Sequence, residues 1–188
     1  MFIQTETTPN PATLKFLPGR ELMNSGTLEI RDAHTAERSP LAKRLFAVPG
    51  VTGVFYGQDF VSVTKSEGEW QHLKPALLGA IMEHFLSGDP LLLDQTPEQH
   101  ADQREDEFFE PSDAPTVETI KELLETRIRP AVAGDGGDIV FRGFKDGIVY
   151  LAMKGSCSGC PSSTATLKNG VQNLLRHFLP DVREVQAI

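Results

Sequence analysis

Hydrophobic positions follow two regular patterns along the 188-residue chain, and a polar stretch separates the two regions that carry them. In the first region, Phe2–Thr7 and Thr13–Leu17 read as short strands. Ser39 followed by Pro40 is an N-cap with proline at the first helical position, opening a helix through about Phe46 that Pro49-Gly50 ends. Val51–Tyr56 and Phe60–Lys65 are β-rich runs separated by Gly57-Gln58-Asp59, a hairpin signal. From Trp70 to Leu86, apolar residues at Leu73, Leu77, Leu78, Ile81, Met82 and Phe85 recur at helical spacing. They predict one buried stripe, stopped by Gly88 and Pro90.

The second region begins with Val117, Ile120, Leu124 and Ile128, a helical stripe that Pro130 is expected to end. Asp138–Phe144 and Ile148–Lys154 are predicted strands across the turn Lys145-Asp146-Gly147. Pro161 suits the first turn of a final long helix whose apolar face is Leu167, Val171, Leu174, Leu175 and Phe178. Val182–Ala187 reads as a closing strand. The fold class is therefore α+β, with two small α/β domains at 1–92 and 116–188. The second has the order helix-strand-strand-helix-strand.

Charge sharpens the boundary. Asp94–Glu118 holds nine acids and one base, Arg104, a net charge of −8 that equals the charge of the whole chain. Apolar residues are sparse there, and Pro97, Pro111 and Pro115 interrupt regular structure. Residues 93–115 are thus expected to be an acidic, self-repelling linker. Phe108-Phe109 is a candidate anchor onto either domain. The acidic balance, with no basic patch carrying interleaved aromatics, argues against nucleic acid as a partner. No apolar run reaches the roughly 18–20 residues that span a bilayer, so no membrane is expected. Met1–Thr8 has neither a signal-peptide pattern nor an Arg-rich transit pattern. A cytoplasmic, bacterial protein is the expectation, with a mature mitochondrial matrix protein as the alternative.

The chemistry lies in Cys157-Ser158-Gly159-Cys160, which holds the only two cysteines of the chain. Two cysteines in a chain this long do not make a secreted disulfide framework. Thiolates bind iron and zinc, but iron–sulfur clusters and all-Cys zinc sites normally take four. The pair must do redox chemistry, find other ligands, or share a metal site between two copies. Gly155 and Gly159 let the backbone bend so that both sulfurs face one way. Cys160 precedes a helix N-terminus, whose free N–H groups favour a thiolate. A thioredoxin-type dithiol fits the strand–loop–helix setting, but the motif comes late, after a hairpin, with proline after the second cysteine. Zinc would need further ligands, and His34, His72, His84, His100 and His177 show no paired spacing. His177 reads as an ordinary helix residue. No nucleophile–base constellation or phosphate-cradling loop is present, and Gly134–Asp138 lacks the spacing of a nucleotide fingerprint. The chain is therefore not expected to be an enzyme.

The second domain resembles the C-terminal domain of the NifU-like family. The resemblance runs through Ile128-Arg129-Pro130, Gly134-Asp135-Gly136-Gly137-Asp138 and Gly155-Ser156-Cys157-Ser158-Gly159-Cys160-Pro161-Ser162-Ser163. The first domain resembles the N-terminal domain of Nfu-type proteins, from Phe2-Ile3-Gln4-Thr5-Glu6 and Thr8-Pro9-Asn10-Pro11 to Phe85. This resemblance implies an iron–sulfur cluster scaffold or carrier. Carried over, Cys157 and Cys160 are the cofactor- and metal-binding ligands. They would hold a [4Fe–4S] cluster (a [2Fe–2S] cluster is possible) shared between two protomers. The implied partners are a second copy in a homodimer, an upstream scaffold as donor, and apo iron–sulfur proteins as acceptors. The alternatives on the residues alone are a thiol–disulfide oxidoreductase using Cys157 and Cys160, or a zinc-bridged dimer. Asp135 and Asp138 are expected to serve caps and turns.

Overall fold

The computed structural model describes residues 2–24, 26–93, 107–158 and 161–188, with the backbone alone for 161–163. The chain divides near residue 96 into two units.

In the first unit, strands β1 (Gln4–Thr7), β2 (Thr13–Leu17), β3 (Leu28–Ile30), β4 (Val51–Tyr56) and β5 (Val61–Lys65) form an antiparallel sheet in the order β1-β2-β5-β4-β3. Strand register lines up Leu14 with Val63, Phe16 with Val61, and these with Val54 and Tyr56. Side chains paired in register share one face. That face packs on α2 (Pro40–Phe46) and α3 (Trp70–Ser87) through Leu41, Leu45, Leu77 and Ile81, all fully buried. Ser39 caps α2 as expected, its Oγ accepting from the Ala42 N–H at 3.3 Å. The same Oγ lies 2.7 Å from the buried Tyr56 hydroxyl. Burial raises the Tyr56 phenol well above its ordinary value.

Two elements of this unit escaped the sequence pattern. β3 has three residues and α1 (Ala33–Ala36) four. The signal for α1 is Asp32, whose carboxylate accepts from the Thr35 N–H at 2.7 Å. The stripe on α3 also needs correction. Met82 is 38% exposed, and the buried positions are Leu77, Ile81 and His84. His84, which the expected stripe did not include, is buried with Leu77 and Ile81, and Leu73, Leu78 and Phe85 pack partly buried against the same core.

In the second unit, α4 (Ala114–Leu123) does not stop at Pro130. It passes through a π-helical turn, Leu124–Ile128, into α5 (Arg129–Gly134), with Pro130 in the first turn of α5. Proline lacks the N–H that an α-helix interior would use. The wider π turn absorbs the resulting break, so the helical path continues. β6 (Gly137–Lys145) and β7 (Ile148–Gly155) are antiparallel, and β8 (Glu184–Ala187) lies parallel to β7 after the crossover helix α6 (Pro161–Phe178). The β6–β7 turn places Asp146 at φ 53° and Gly147 at φ 78°. That is the primed hairpin geometry its Asp-Gly pair predicts. Ile120, Ile139, Val149, Leu151 and Leu175 form the centre of the core.

The expected linker of 93–115 overlaps ordered structure at its C-terminal end. Residues 94–106 lie outside the described residues. Phe108 bridges to Gly143 on β6, Pro111–Asp113 forms a short 3₁₀ turn, and α4 already begins at Ala114. Among the described residues no helix is long and apolar enough to cross a membrane.

Candidate metal centre

The loop holding Cys157 leaves the C-terminal end of β7 and enters α6, inside a strand–helix–strand crossover whose strands run parallel. Ligand sites collect at the carboxyl ends of strands in such crossovers, because the following helix presents free N–H groups there. Gly155 ends β7 with φ 64°, a conformation open to glycine at little cost. The chain then turns tightly. The Cys157 N–H donates to the Lys154 carbonyl at 3.3 Å, and the Ser158 N–H and Oγ both donate to the Gly155 carbonyl, at 3.2 and 2.9 Å. Thr164, in the first turns of α6, donates from Oγ1 to the Cys157 carbonyl at 3.0 Å.

The Gly134–Asp138 segment forms the floor of this loop. Ser156 donates from Oγ to the Asp135 carbonyl at 2.5 Å and from its N–H to the Gly136 carbonyl at 3.3 Å. Gly137 pairs in register with Gly155. A Cβ at Gly137 would sit 2.6 Å from Cys157 Sγ and 2.8 Å from the Lys154 carbonyl oxygen. The bare Cα is what admits the sulfur. Asp138 is buried and takes a two-pronged contact from Arg129, Nε to Oδ1 at 2.9 Å and Nη2 to Oδ2 at 3.0 Å. Arg129 Nη1 also reaches Glu125 at 2.6 Å. Such fork-to-carboxylate geometry fixes orientation as well as charge. It ties α5 to the first residues of β6, so the floor cannot slide relative to the helix.

Cys157 is 6% exposed. Burial pushes its thiol up to about 11; the Ser156 contact lowers it, while the nearby Asp135 and Asp138 carboxylates raise it further. Cys160, the second ligand expected from sequence, lies outside the described residues. The expected common facing of the two sulfurs and the thiolate-favouring helix terminus both concern Cys160 and lie with it outside the described residues. His177 sits in the last turn of α6 against Phe178, at 5.1 Å between rings. Among the described residues, no three His, Cys, Asp or Glu side chains gather as a metal site. The role of Asp138 as a clamp for Arg129 was not legible. Its signal is an arginine nine positions upstream across a turn, which only the folded helix brings into contact. Thr164 carried no sequence signal at all.

A family model described as Scaffold protein Nfu/NifU N terminal matches residues 3–88, and one described as NifU-like domain matches residues 120–186. A Drosophila ananassae protein named NFU1 iron-sulfur cluster scaffold homolog, mitochondrial, is 53% identical over 190 residues, which cover 100% of this chain and 64% of that protein. The human protein of the same name is 48% identical over 190 residues, 100% of this chain and 72% of its own. NifU-like protein 5, mitochondrial, of Arabidopsis thaliana is 49% identical over 189 residues, 99% of this chain and 67% of its own. The chain thus spans 64% of the length of the fruit-fly relative. With both domain models matched in this order and relatives aligned across essentially its whole length, the chain belongs to the Nfu family, an Nfu/NifU N-terminal domain followed by a NifU-like domain.

Proposed function

We propose that this protein is an iron–sulfur cluster scaffold and carrier. Cys157 and Cys160 of one protomer, with the same pair from a second copy, hold a [4Fe–4S] cluster as cargo for delivery to apo-proteins. The observation that supports it best is the cysteine loop itself. Its strand–loop–helix position and glycine floor give a thiol a dry, preformed seat, in a chain whose two cysteines supply half of a four-thiolate set. The names of the relatives point the same way.

The chemistry follows from the loop. Cys157 is held as a thiol by burial, so taking up cargo means exchanging a proton for iron. Uptake is therefore favoured by rising pH. A cluster held by two ligands from each protomer loses half its coordination when the protomers separate. An acceptor's cysteines can then replace them by ligand exchange. The protein acts as a carrier and not as an enzyme. Iron content and colour separate it from a zinc-bridged dimer.

Residues 1–96 contain no cysteine and supply no thiolate. Their proposed role is to dock acceptors, keeping the cluster-bearing unit at high local concentration. The relatives' names favour the mitochondrial alternative over a bacterial cytoplasm as the compartment.

Mixing cluster-loaded protein with an apo [4Fe–4S] enzyme under anaerobic conditions tests delivery. Acceptor activity rising as the carrier loses its visible absorbance is the expected result. A cluster retained in the presence of excess acceptor, with no activity gained, would overturn it.

A further inference from the structure

Gly143 stands in the interior of β6, where glycine weakens a strand and often marks close approach by another group. Its φ is not positive, so no turn demands it. The three heavy atoms nearest to a Cβ built there all belong to the Phe108 ring, at 2.5, 2.5 and 2.6 Å. The missing side chain makes a seat for an aromatic ring. Tyr150, paired in register with Gly143, completes it, its ring 5.1 Å from that of Phe108.

The seat has polar ends as well. The Phe108 N–H donates to the Arg142 carbonyl at 3.1 Å, and the Phe144 N–H donates to the Phe108 carbonyl at 2.9 Å. These are strand-addition bonds on β6, an edge strand of the three-stranded sheet, at the bulge between Phe141 and Gly143. Glu107, only 13% exposed, meets Lys121 Nζ at 2.5 Å, and Lys121 also lies over the Phe141 ring. Phe108 remains 42% exposed, so the occupant rests in a shallow seat and can leave it.

We propose that the outer edge of β6 is a peptide-docking site for an extended segment in which a carboxylate residue is directly followed by phenylalanine. Glu107-Phe108 occupies it in cis, and the same dipeptide on another polypeptide takes it in trans. Each part of the dipeptide has its own receptor: Lys121 for the carboxylate, Gly143 and Tyr150 for the ring, Arg142 and Phe144 for the backbone. Exchange of this segment with a second copy is disfavoured. Only Phe109 and Glu110 separate it from the 3₁₀ turn that leads into α4 of the same unit. The site does not involve the cysteines and stands or falls independently of the cluster.

The test uses the full chain without cluster and a fluorescein-labelled peptide of the sequence Arg-Glu-Asp-Glu-Phe-Phe-Glu, read by anisotropy. Phe108→Ala should bind it at least about tenfold more tightly than the native chain, whose own segment competes at an effective concentration on the order of millimolar. Adding Gly143→Ala to that variant should remove binding, because the new Cβ fills the seat. A peptide with alanine for both phenylalanines should not bind, a control that leaves the protein unaltered. No binding up to about 1 mM peptide, equal binding by the native chain and Phe108→Ala, or indifference to the peptide's phenylalanines would each overturn the proposal. So would a native dimer that Phe108→Ala dissociates without peptide binding, which would mark exchange between copies.

Discussion

In the first unit nearly every register position on the core face carries a large side chain. Leu14, Phe16, Val54, Tyr56, Val61 and Val63 stack across three strands against two helices. In the second unit the hairpin is packed at its centre by Ile139, Val149 and Leu151, but one end thins to Gly137 facing Gly155. There the space goes to a sulfur, and order is kept by hydrogen bonds and the Arg129–Asp138 clamp. The contrast teaches how a small fold makes room for a buried thiol. It withdraws side chains at one strand end and replaces their packing with directional polar contacts.

Substitutions should separate the two strategies. Phe16→Ala removes a fully buried ring and should cost about 3–5 kcal/mol. Trp70 is the single tryptophan and lies in the first unit, so its fluorescence during denaturation reads this loss, while cluster uptake per folded molecule should be unchanged. Asp138→Ala leaves Arg129 without its two-pronged partner. Arg129 is 29% exposed and recovers some hydration, so the expected cost is about 2–3 kcal/mol. Amide exchange along β6 and β7 should quicken while the Trp70 transition stays in place. Gly137→Ala should cost about 1–3 kcal/mol by overpacking. Its larger effect should be on cluster uptake, since the new Cβ displaces Cys157 Sγ. Unaltered uptake in this variant would break the comparison.

The two units should also respond to opposite ends of the pH scale. His84 is buried, and burial with the Arg44 charge lowers its titration below the ordinary 6.5, with Asp89 opposing. A base depressed on folding favours the folded state above its unfolded value and loses that advantage as pH falls. Trp70 melting should therefore weaken on going from pH 7.5 to 5.0, and His84→Leu should flatten that slope. Cys157 is shifted upward, from 9.0 to about 11. In a Cys160→Ser background, the alkylation rate of Cys157 should keep climbing to about pH 11. A plateau near pH 9 would contradict the buried seat.

Much of this architecture was legible beforehand. Strand pairs, the Ser39-Pro40 helix start, the Asp146-Gly147 turn and the closing strand all rest on local signals that tertiary packing does not override. What was not legible depended on contacts between distant residues. Pro130 reads as a helix end, and only the π turn carries the helical path past it. Phe108 reads as a candidate anchor and does dock on the second unit, but its seat was not legible, because the glycine that makes room for it lies 35 positions away. At the site, the cysteine motif stood out by composition, whereas the fit of Gly137 against Cys157 Sγ needed the hairpin register. The buried His84 lies just before Phe85 of the expected stripe, and hydrophobic periodicity, which counts only apolar residues, has no means of seeing it.

The central claim is tested most directly by anaerobic reconstitution with iron and sulfide, followed by Mössbauer spectroscopy and native mass measurement. The account predicts a dimer carrying one [4Fe–4S] cluster, absent from Cys157→Ala and from Cys160→Ala. A colourless monomer whose two cysteines cycle through a reversible disulfide would contradict it.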